Sequence, residues 1–211
     1  ASDVYKRQKK RQLMITLNNE SVNIQPGAMQ WYVGDVHQST GLKGIGDTIK
    51  KFFNAQVTGE STIKPQYEGT GVIVTEPSYK HYIIEDLDDW NGAMCVEDGL
   101  YCASETKVNL STSMIKSVSG QTIGDEGLFN LCLKGSGKVV LECNVPQEEL
   151  ITIDLHNDTL KIDGSFAIAW SENLDFTVER SGKTLIGSAV SGEGLVNVYR
   201  GTGRVLIKPQ L

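Results

Sequence analysis

The segment that most resembles a catalytic or ligand-binding motif is LKGSGKVV, which begins at Leu133. Glycines followed by a lysine can form a phosphate-binding loop, but that motif also needs a glycine five residues before Gly137, where this chain has Cys132. It also needs serine or threonine after the lysine, and Val139 stands there. The following run is typical of a strand, so no helix N-terminus is predicted to hold a phosphate. A dinucleotide fingerprint fails for the same reason, and the glycines are interpreted as backbone devices.

Residues that could bind metals or act as acids and bases are scattered. His37, His81 and His156 have no spacing typical of a metal site. The acidic run EDLDDW, from Glu85, could hold a cation, but it lacks the ligand spacing of a calcium loop, which favours a solvated hairpin. No G-x-S-x-G motif is present. We therefore predict no catalytic residue, no metal and no cofactor, and expect a protein that is not an enzyme.

The four cysteines show no C-x-x-C spacing, and all lie in apolar segments that read as strands: Cys95, Cys102, Cys132 and Cys143. In such a context cysteine usually behaves as a small buried hydrophobe. We therefore expect structural, reduced cysteines and a cytoplasmic protein.

Charge is distributed unevenly along the chain. Residues 1–12 carry a formal charge of +4, and since the whole chain carries −6, residues 13–211 carry −10. An acidic body is a poor surface for nucleic acid, so no nucleic-acid partner is expected. The basic segment lacks the apolar centre of a signal peptide and is interpreted as a disordered or non-native extension. No apolar run is long enough to predict a transmembrane helix.

The glycine motif belongs to a phrase that occurs three times: YEGTG from Tyr67, LKGSG from Leu133 and YRGTG from Tyr199. Their first glycines lie 66 residues apart, which indicates an internal repeat. A second phrase, a polar turn and a tight glycine turn between two apolar runs, also recurs three times. The two phrases supply the predicted structural glycines: Gly27, Gly69, Gly71, Gly99, Gly135, Gly137, Gly164, Gly201 and Gly203.

The order of the phrases predicts the organisation of the domain. The third copy of the first phrase stands near the C-terminus, and a copy of the second phrase stands near the N-terminus. We therefore predict one domain over residues 13–211, in which both chain ends complete one unit. The predicted units cover roughly 13–66 plus 199–211, then 67–132, then 133–198, around a pseudo-threefold axis. Strand Arg204–Ile207 should lie in the same unit as Met14–Leu17.

The elements that carry these phrases read as strands. Runs such as HYIIED, KVVLE, DFTVER and LVNVYR alternate apolar and polar residues with many β-branched side chains. Asn91–Gly92, Asp98–Gly99 and Asp163–Gly164 are typical hairpin turns. The predicted class is all-β, built as sandwiches.

One insertion in the first unit departs from this pattern. The segment from Ser39 to Ser61 spaces its apolar residues as a short helix does. The helix could cap the end of a sandwich, or it could face a partner or a membrane. Candidate contact residues are Ile45, Ile49, Lys50, Lys51, Phe52 and Phe53.

The segments NIQPGAMQWYVGDV, TGES, SGEGL and the closing YRGTGRVLIKPQL resemble bacterial members of the altered-inheritance-of-mitochondria (mitochondrial biogenesis) family, from about Leu13 onward. The resemblance implies three β-sandwich units, each similar in fold to the subunit of the Trp RNA-binding attenuation protein, and a homo-oligomer, a trimer. It also implies a link to membrane organisation for the mitochondrial relatives, and no assigned catalytic residues. RNA binding does not follow from the fold alone.

Two functions remain open. The first is a non-enzymatic oligomeric scaffold or binding protein that contacts a protein partner or a membrane surface. The second is a small-ligand-binding or catalytic protein that uses pockets between the units.

Overall fold

The computed structural model describes residues 2–7, 9–39, 64–114, 116–117, 129–180 and 195–209, and these form strands almost throughout. The strands are β1 Ser2–Arg7, β2 Lys10–Ile24, β3 Met29–Ser39, β4 Gln66–Thr75, β5 His81–Asp86, β6 Ala93–Val96, β7 Tyr101–Glu105, β8 Val108–Met114, β9 Lys116–Ser117, β10 Phe129–Gly135, β11 Lys138–Cys143, β12 Ile151–Asp163, β13 Ala167–Ser171, β14 Asp175–Arg180 and β15 Leu195–Ile207. Two short 3₁₀ turns, Leu87–Trp90 and Gln147–Glu149, complete the described elements. Among these residues no helix is long and apolar enough to cross a membrane.

The strands form two sheets. The first has the order β3-β4-β2-β7-β11-β5, with β1 also paired to β2. The second has the order β8-β10-β6-β13-β15-β14-β9, with β12 also paired to β15. All described strand pairs are antiparallel except β9 with β14. The prediction of an all-β protein is confirmed, and the runs HYIIED and DFTVER coincide with β5 and β14.

Among the described residues, the buried apolar side chains form three clusters. One contains residues of both sheets, such as Leu141 of β11 and Met94 of β6, so the sheets pack against each other there. A second cluster lies within the first sheet, around Leu13 and Ile73, and a third lies within the second sheet, around Trp170 and Tyr199. Burial of these side chains is the main favourable term in folding.

The two chain ends do not pair with each other. Arg204–Ile207 of β15 pairs with Ile151–Asp154 of β12 in the second sheet, whereas Met14–Leu17 of β2 pairs with Gly71–Val74 of β4 in the first. Each of these two segments therefore pairs with a strand of a different sheet. Direct pairing of the two termini is therefore wrong, whereas their membership of one sandwich unit stays a prediction, because such a unit contains two sheets.

The basic N-terminal segment also differs from expectation. Ser2–Arg7 is strand β1, in register with β2 from Ser2 opposite Ile15 to Arg7 opposite Lys10. On that edge of β2, strand β7 covers only Val22–Ile24, which leaves the earlier residues open to a further strand. The segment thus extends the first sheet, where a disordered extension was expected.

None of the three predicted hairpin turns joins two strands that pair with each other. Asp98–Gly99 joins β6 of the second sheet to β7 of the first, and Asp163–Gly164 joins two strands that both pair with β15. Asn91–Gly92 ends a 3₁₀ turn before β6. The prediction of a glycine turn is confirmed at each position, since each glycine has a positive φ of 75–78°. The residues of a turn do not determine which strand the next strand pairs with.

Two of the cysteines correct the expectation of a fully reduced set. Cys95 of β6 and Cys132 of β10 stand opposite each other in the ladder and form a disulfide across it. The two cysteines are 37 residues apart in sequence, so their spacing gives no indication that they pair. Cys102 and Cys143 are free and buried, and burial raises the pKa of the Cys102 thiol.

Candidate functional site

The three glycine phrases share one local arrangement. Gly69, Gly135 and Gly201 have φ values of 131°, 125° and 122°, and an asparagine with positive φ lies on the strand or turn opposite each of them: Asn19, Asn91 and Asn157. In the first and last copies the asparagine sits in a break of the ladder register, and its N–H donates to the threonine between the glycines. In the middle copy the phrase instead connects β10 of one sheet with β11 of the other.

The space around these glycines favours close approach of neighbouring backbone. A Cβ on Gly69 would lie 2.0 Å from the carbonyl oxygen of Asp35, and a Cβ on Gly71 would lie 2.2 Å from that of Val33. A Cβ on Gly135 would lie 2.3 Å from the carbonyl oxygen of Lys107. A side chain at any of these positions would collide with a backbone carbonyl oxygen, which explains why glycine is required there.

The remaining predicted sites divide into two groups. Gly27, Gly99 and Gly164 lie in turns, and Gly137 and Gly203 lie against the side chains of Glu105 and Ser171. The predicted helix and its contact residues lie outside the described residues: Ile45, Ile49, Lys50, Lys51, Phe52 and Phe53.

The first candidate surface is the outer edge of β3. Among the described residues β3 pairs only with β4, so it forms one edge of the first sheet. Three consecutive large side chains on it are solvent-accessible: Trp31 at 47%, Tyr32 at 43% and Val33 at 60%. The Tyr32 ring lies 6.2 Å from the buried Tyr67 ring, which anchors the strip on the core. We call Trp31–Val33 the edge strip.

The second candidate surface is a half-open cavity of about 570 Å³ in the first sheet. Residues Thr16–Ser21 of β2 pair with β4 on one side, while on the other side the described strands cover only Lys10–Ile15 and Val22–Ile24. The cavity lies along this uncovered stretch. Its walls carry the apolar residues Ile15, Leu17, Val22, Ile84, Ala103 and Val140.

The mouth of the cavity is polar. Glu20, Glu105, Lys107 and Lys138 line it. The Ser21 and Thr106 hydroxyl oxygens lie 2.7 Å apart and fasten β2 to the turn after β7. Lys138 also forms an ion pair of 3.2 Å with Asp86.

Other titratable side chains make hydrogen bonds and ring contacts between strands and turns. Burial raises the pKa of Glu85, which accepts a hydrogen bond of 3.0 Å from the Trp90 indole N–H. Arg204 lies over the Trp90 ring, 5.9 Å from its centre, and donates to Asp154. Burial likewise raises the pKa of Glu97. No group of three or more potential metal ligands occurs among the described residues.

Sequence reasoning did not find either surface. The aromatic residues of the QWYVG segment give no signal that their strand lies at a sheet edge. The cavity depends on where β1 and β7 stop pairing with β2, which no local pattern encodes. A detectable signal was the Asn19 position, since asparagine readily adopts the positive φ found there.

Comparison with known proteins gives consistent matches. The sequence profile of the family described as "Mitochondrial biogenesis AIM24" matches residues 3–210. An uncharacterised protein of Streptococcus pyogenes serotype M6 is 28% identical over 196 residues, which cover 89% of this chain and 76% of that protein. A crystal structure of another Streptococcus pyogenes protein superposes with a TM-score of 0.70 at 22% identity, covering 100% of this chain and 93% of that one. This last match concerns the fold alone.

Proposed function

Since the chain belongs to the mitochondrial biogenesis AIM24 family, whose model matches it nearly end to end, we propose that it is a non-enzymatic, oligomeric scaffold or binding protein. The observation that carries this proposal is the edge strip on β3. Copies of the chain associate through this edge.

An edge strand presents unpaired N–H and C=O groups that can template another strand. Natural proteins protect such edges with short strands, proline, or charged side chains. β3 is 11 residues long, has no proline, and carries its one acidic residue, Asp35, beyond the edge strip. Trp31 and Val33 share one face of β3, because side chains alternate along a strand, and both are exposed there. Exposed apolar side chains beside an open edge indicate an interaction surface, and the proposed partner is a second copy of the chain.

The finer features of the proposal concern the assembly. We propose a homotrimer in which the β3 edge of one copy meets a different surface of the next, because a three-membered ring requires heterologous contacts. The recurring pair of asparagine and glycine supports three related sandwich units around a pseudo-threefold axis, similar to the Trp RNA-binding attenuation protein subunit. The assembly offers its surface to a protein partner or a membrane.

The test is the mass of the protein in solution. The double change Trp31→Lys with Val33→Lys places two charges on the edge strip and should shift the mass measured by light scattering to that of one chain. Circular dichroism should still show β-sheet, since both residues are about half exposed. The control Ile151→Lys changes an equally exposed apolar residue on β12 and should leave the mass unchanged. An unchanged mass in the double variant would refute association through β3.

A further inference from the structure

The cavity in the first sheet lies between strands, and apolar side chains line its interior. Ile15 and Leu17 of β2 face Ile84 of β5 and Val140 of β11 across it. Its volume of about 570 Å³ lies within the roughly 300–1,000 Å³ typical of small-molecule sites. Five of the six apolar wall residues are already buried, so an aliphatic chain placed there would cover chiefly the half-buried Ile84, and the gain is proportional to the apolar area covered.

The break in register at Asn19 decides what stands at the mouth. Before it, the odd-numbered residues of β2, Leu13, Ile15 and Leu17, face the core, and after it Val22 and Ile24 do so. Glu20 shares the face of Val22, two positions away, because side chains alternate along a strand. The carboxylate therefore stands beside the cavity, where an uninterrupted strand would have turned it away.

Charges of both signs meet at this mouth. Glu20 and Glu105 supply two carboxylates, and Lys107 and Lys138 supply two ammonium groups. Lys138 is engaged with Asp86, whereas Lys107 has no ion-pair partner among the described residues. A ligand head with a single charge would meet a like charge at this rim. A head with both charges, or zwitterion, can place each next to its opposite.

We propose that the cavity binds a single-chain zwitterionic amphiphile, with its aliphatic chain between β2 and β11 and its head at the charged mouth. The edge of β2 at Thr16–Ser21, which no described strand pairs on this side, offers backbone hydrogen-bonding groups beside the head. This inference does not depend on association of copies, because all the lining residues belong to one chain.

The test is an isothermal titration calorimetry experiment in which dodecylphosphocholine, kept below its critical micelle concentration, is titrated into the protein. We expect saturable binding of one molecule per chain. Dodecanoate and dodecyltrimethylammonium, each with the same chain and one charge, should bind at least about tenfold more weakly, a difference of about 1.4 kcal/mol. Equal or tighter binding of either would overturn the assignment of the head.

Two variants locate the site. Ala103→Leu fills the cavity and should abolish binding, and Lys107→Glu, at an exposed position that tolerates the change, should weaken it about tenfold. Lys161→Glu makes the same charge change in the second sheet and should bind as the parent does. The double variant Trp31→Lys with Val33→Lys should also bind normally. Absence of saturable binding, normal binding by Lys107→Glu, or loss of binding with the edge strip would each contradict the proposal.

Discussion

The regions around Gly69 and Gly201 have nearly the same sequence and different surroundings. Both have a tyrosine two residues earlier, the triplet Gly-Thr-Gly, and an asparagine of positive φ on the paired strand. In the first region β3 pairs with β4 alongside the glycines, and a Cβ on Gly69 would lie 2.0 Å from the Asp35 carbonyl oxygen. In the second region a Cβ on Gly201 would meet only Leu174, at 3.6 Å. The first glycine of the motif is therefore required by both crowding and backbone conformation in one place and by backbone conformation alone in the other.

The largest expected effect is that of Gly69→Ala. The added Cβ meets both an unfavourable positive φ and a carbonyl that belongs to a paired strand, so we expect a loss of stability on the order of 4 kcal/mol or more. Gly201→Ala is the matched control, with strain from φ alone and an expected loss of about 1–3 kcal/mol. Urea unfolding of both variants measures the difference. Equal losses would show that crowding by β3 has no energetic weight.

The next effect concerns the threonine between the glycines, where the two regions should agree. Thr70 Oγ1 accepts a hydrogen bond of 3.0 Å from the Asn19 N–H, and Thr202 Oγ1 accepts one of 2.9 Å from the Asn157 N–H. Replacing either threonine by valine should cost about 1 kcal/mol, since both bonds are exposed and water can replace the hydroxyl. Thermal unfolding of Thr70→Val and Thr202→Val checks this. A marked difference between them would break the equivalence of the two regions.

The smallest effect belongs to the second region, where Glu179 of β14 and Arg200 of β15 form an ion pair of 2.7 Å near Gly201. Hydrogen bonds from Arg200 and Thr177 lower the pKa of Glu179 below its ordinary value of 4.5. A lowered folded-state pKa gives stability that is present above pH 4.5 and is lost as the pH falls through the lowered value. Because both side chains reach water, Glu179→Gln should cost below about 1 kcal/mol at pH 7.

The pH dependence gives that variant its own control. The difference in unfolding free energy between parent and Glu179→Gln should shrink as the carboxylate of the parent is protonated, and it should vanish once the pH lies below the lowered pKa. Denaturant titrations at a series of pH values follow it. A difference that stays constant with pH would mean that the ion pair has no part in it.

Sequence reasoning predicted the strands well and their partners poorly. Alternation located β5 and β14, since a half-buried strand must alternate. The membership of the chain in its family was also read correctly from the motifs. Pairing could not be read: the 66-residue interval placed Arg204–Ile207 beside Met14–Leu17, and the ladder places them in different sheets. Partner choice is settled by packing across the whole fold, which no single strand carries in its sequence.

The candidate surfaces were beyond sequence reasoning for a related reason. The sequence around Trp31 does not indicate whether its strand is central or at an edge of the sheet. The exposure of Trp31 depends on which strands lie beside β3. The cavity is a gap between two pairings, β1 with β2 and β7 with β2, and neither end of the gap is marked by a special residue. Only Asn19, with its positive φ, signals locally that β2 changes face.

The disulfide between Cys95 and Cys132 has a consequence for how the molecule would survive cleavage. It closes a ring of the chain that spans 37 positions, from β6 to β10. A protease that cuts once within this ring produces two polypeptides that remain one covalent molecule. On a denaturing gel such a nicked protein would migrate as two fragments only after a reductant is added. Cleavage between Ser39 and Lys64 has no such tie, and the fragments would be held together by noncovalent contacts, among them the pairing of β2 and β3 with β4 and of β2 with β7.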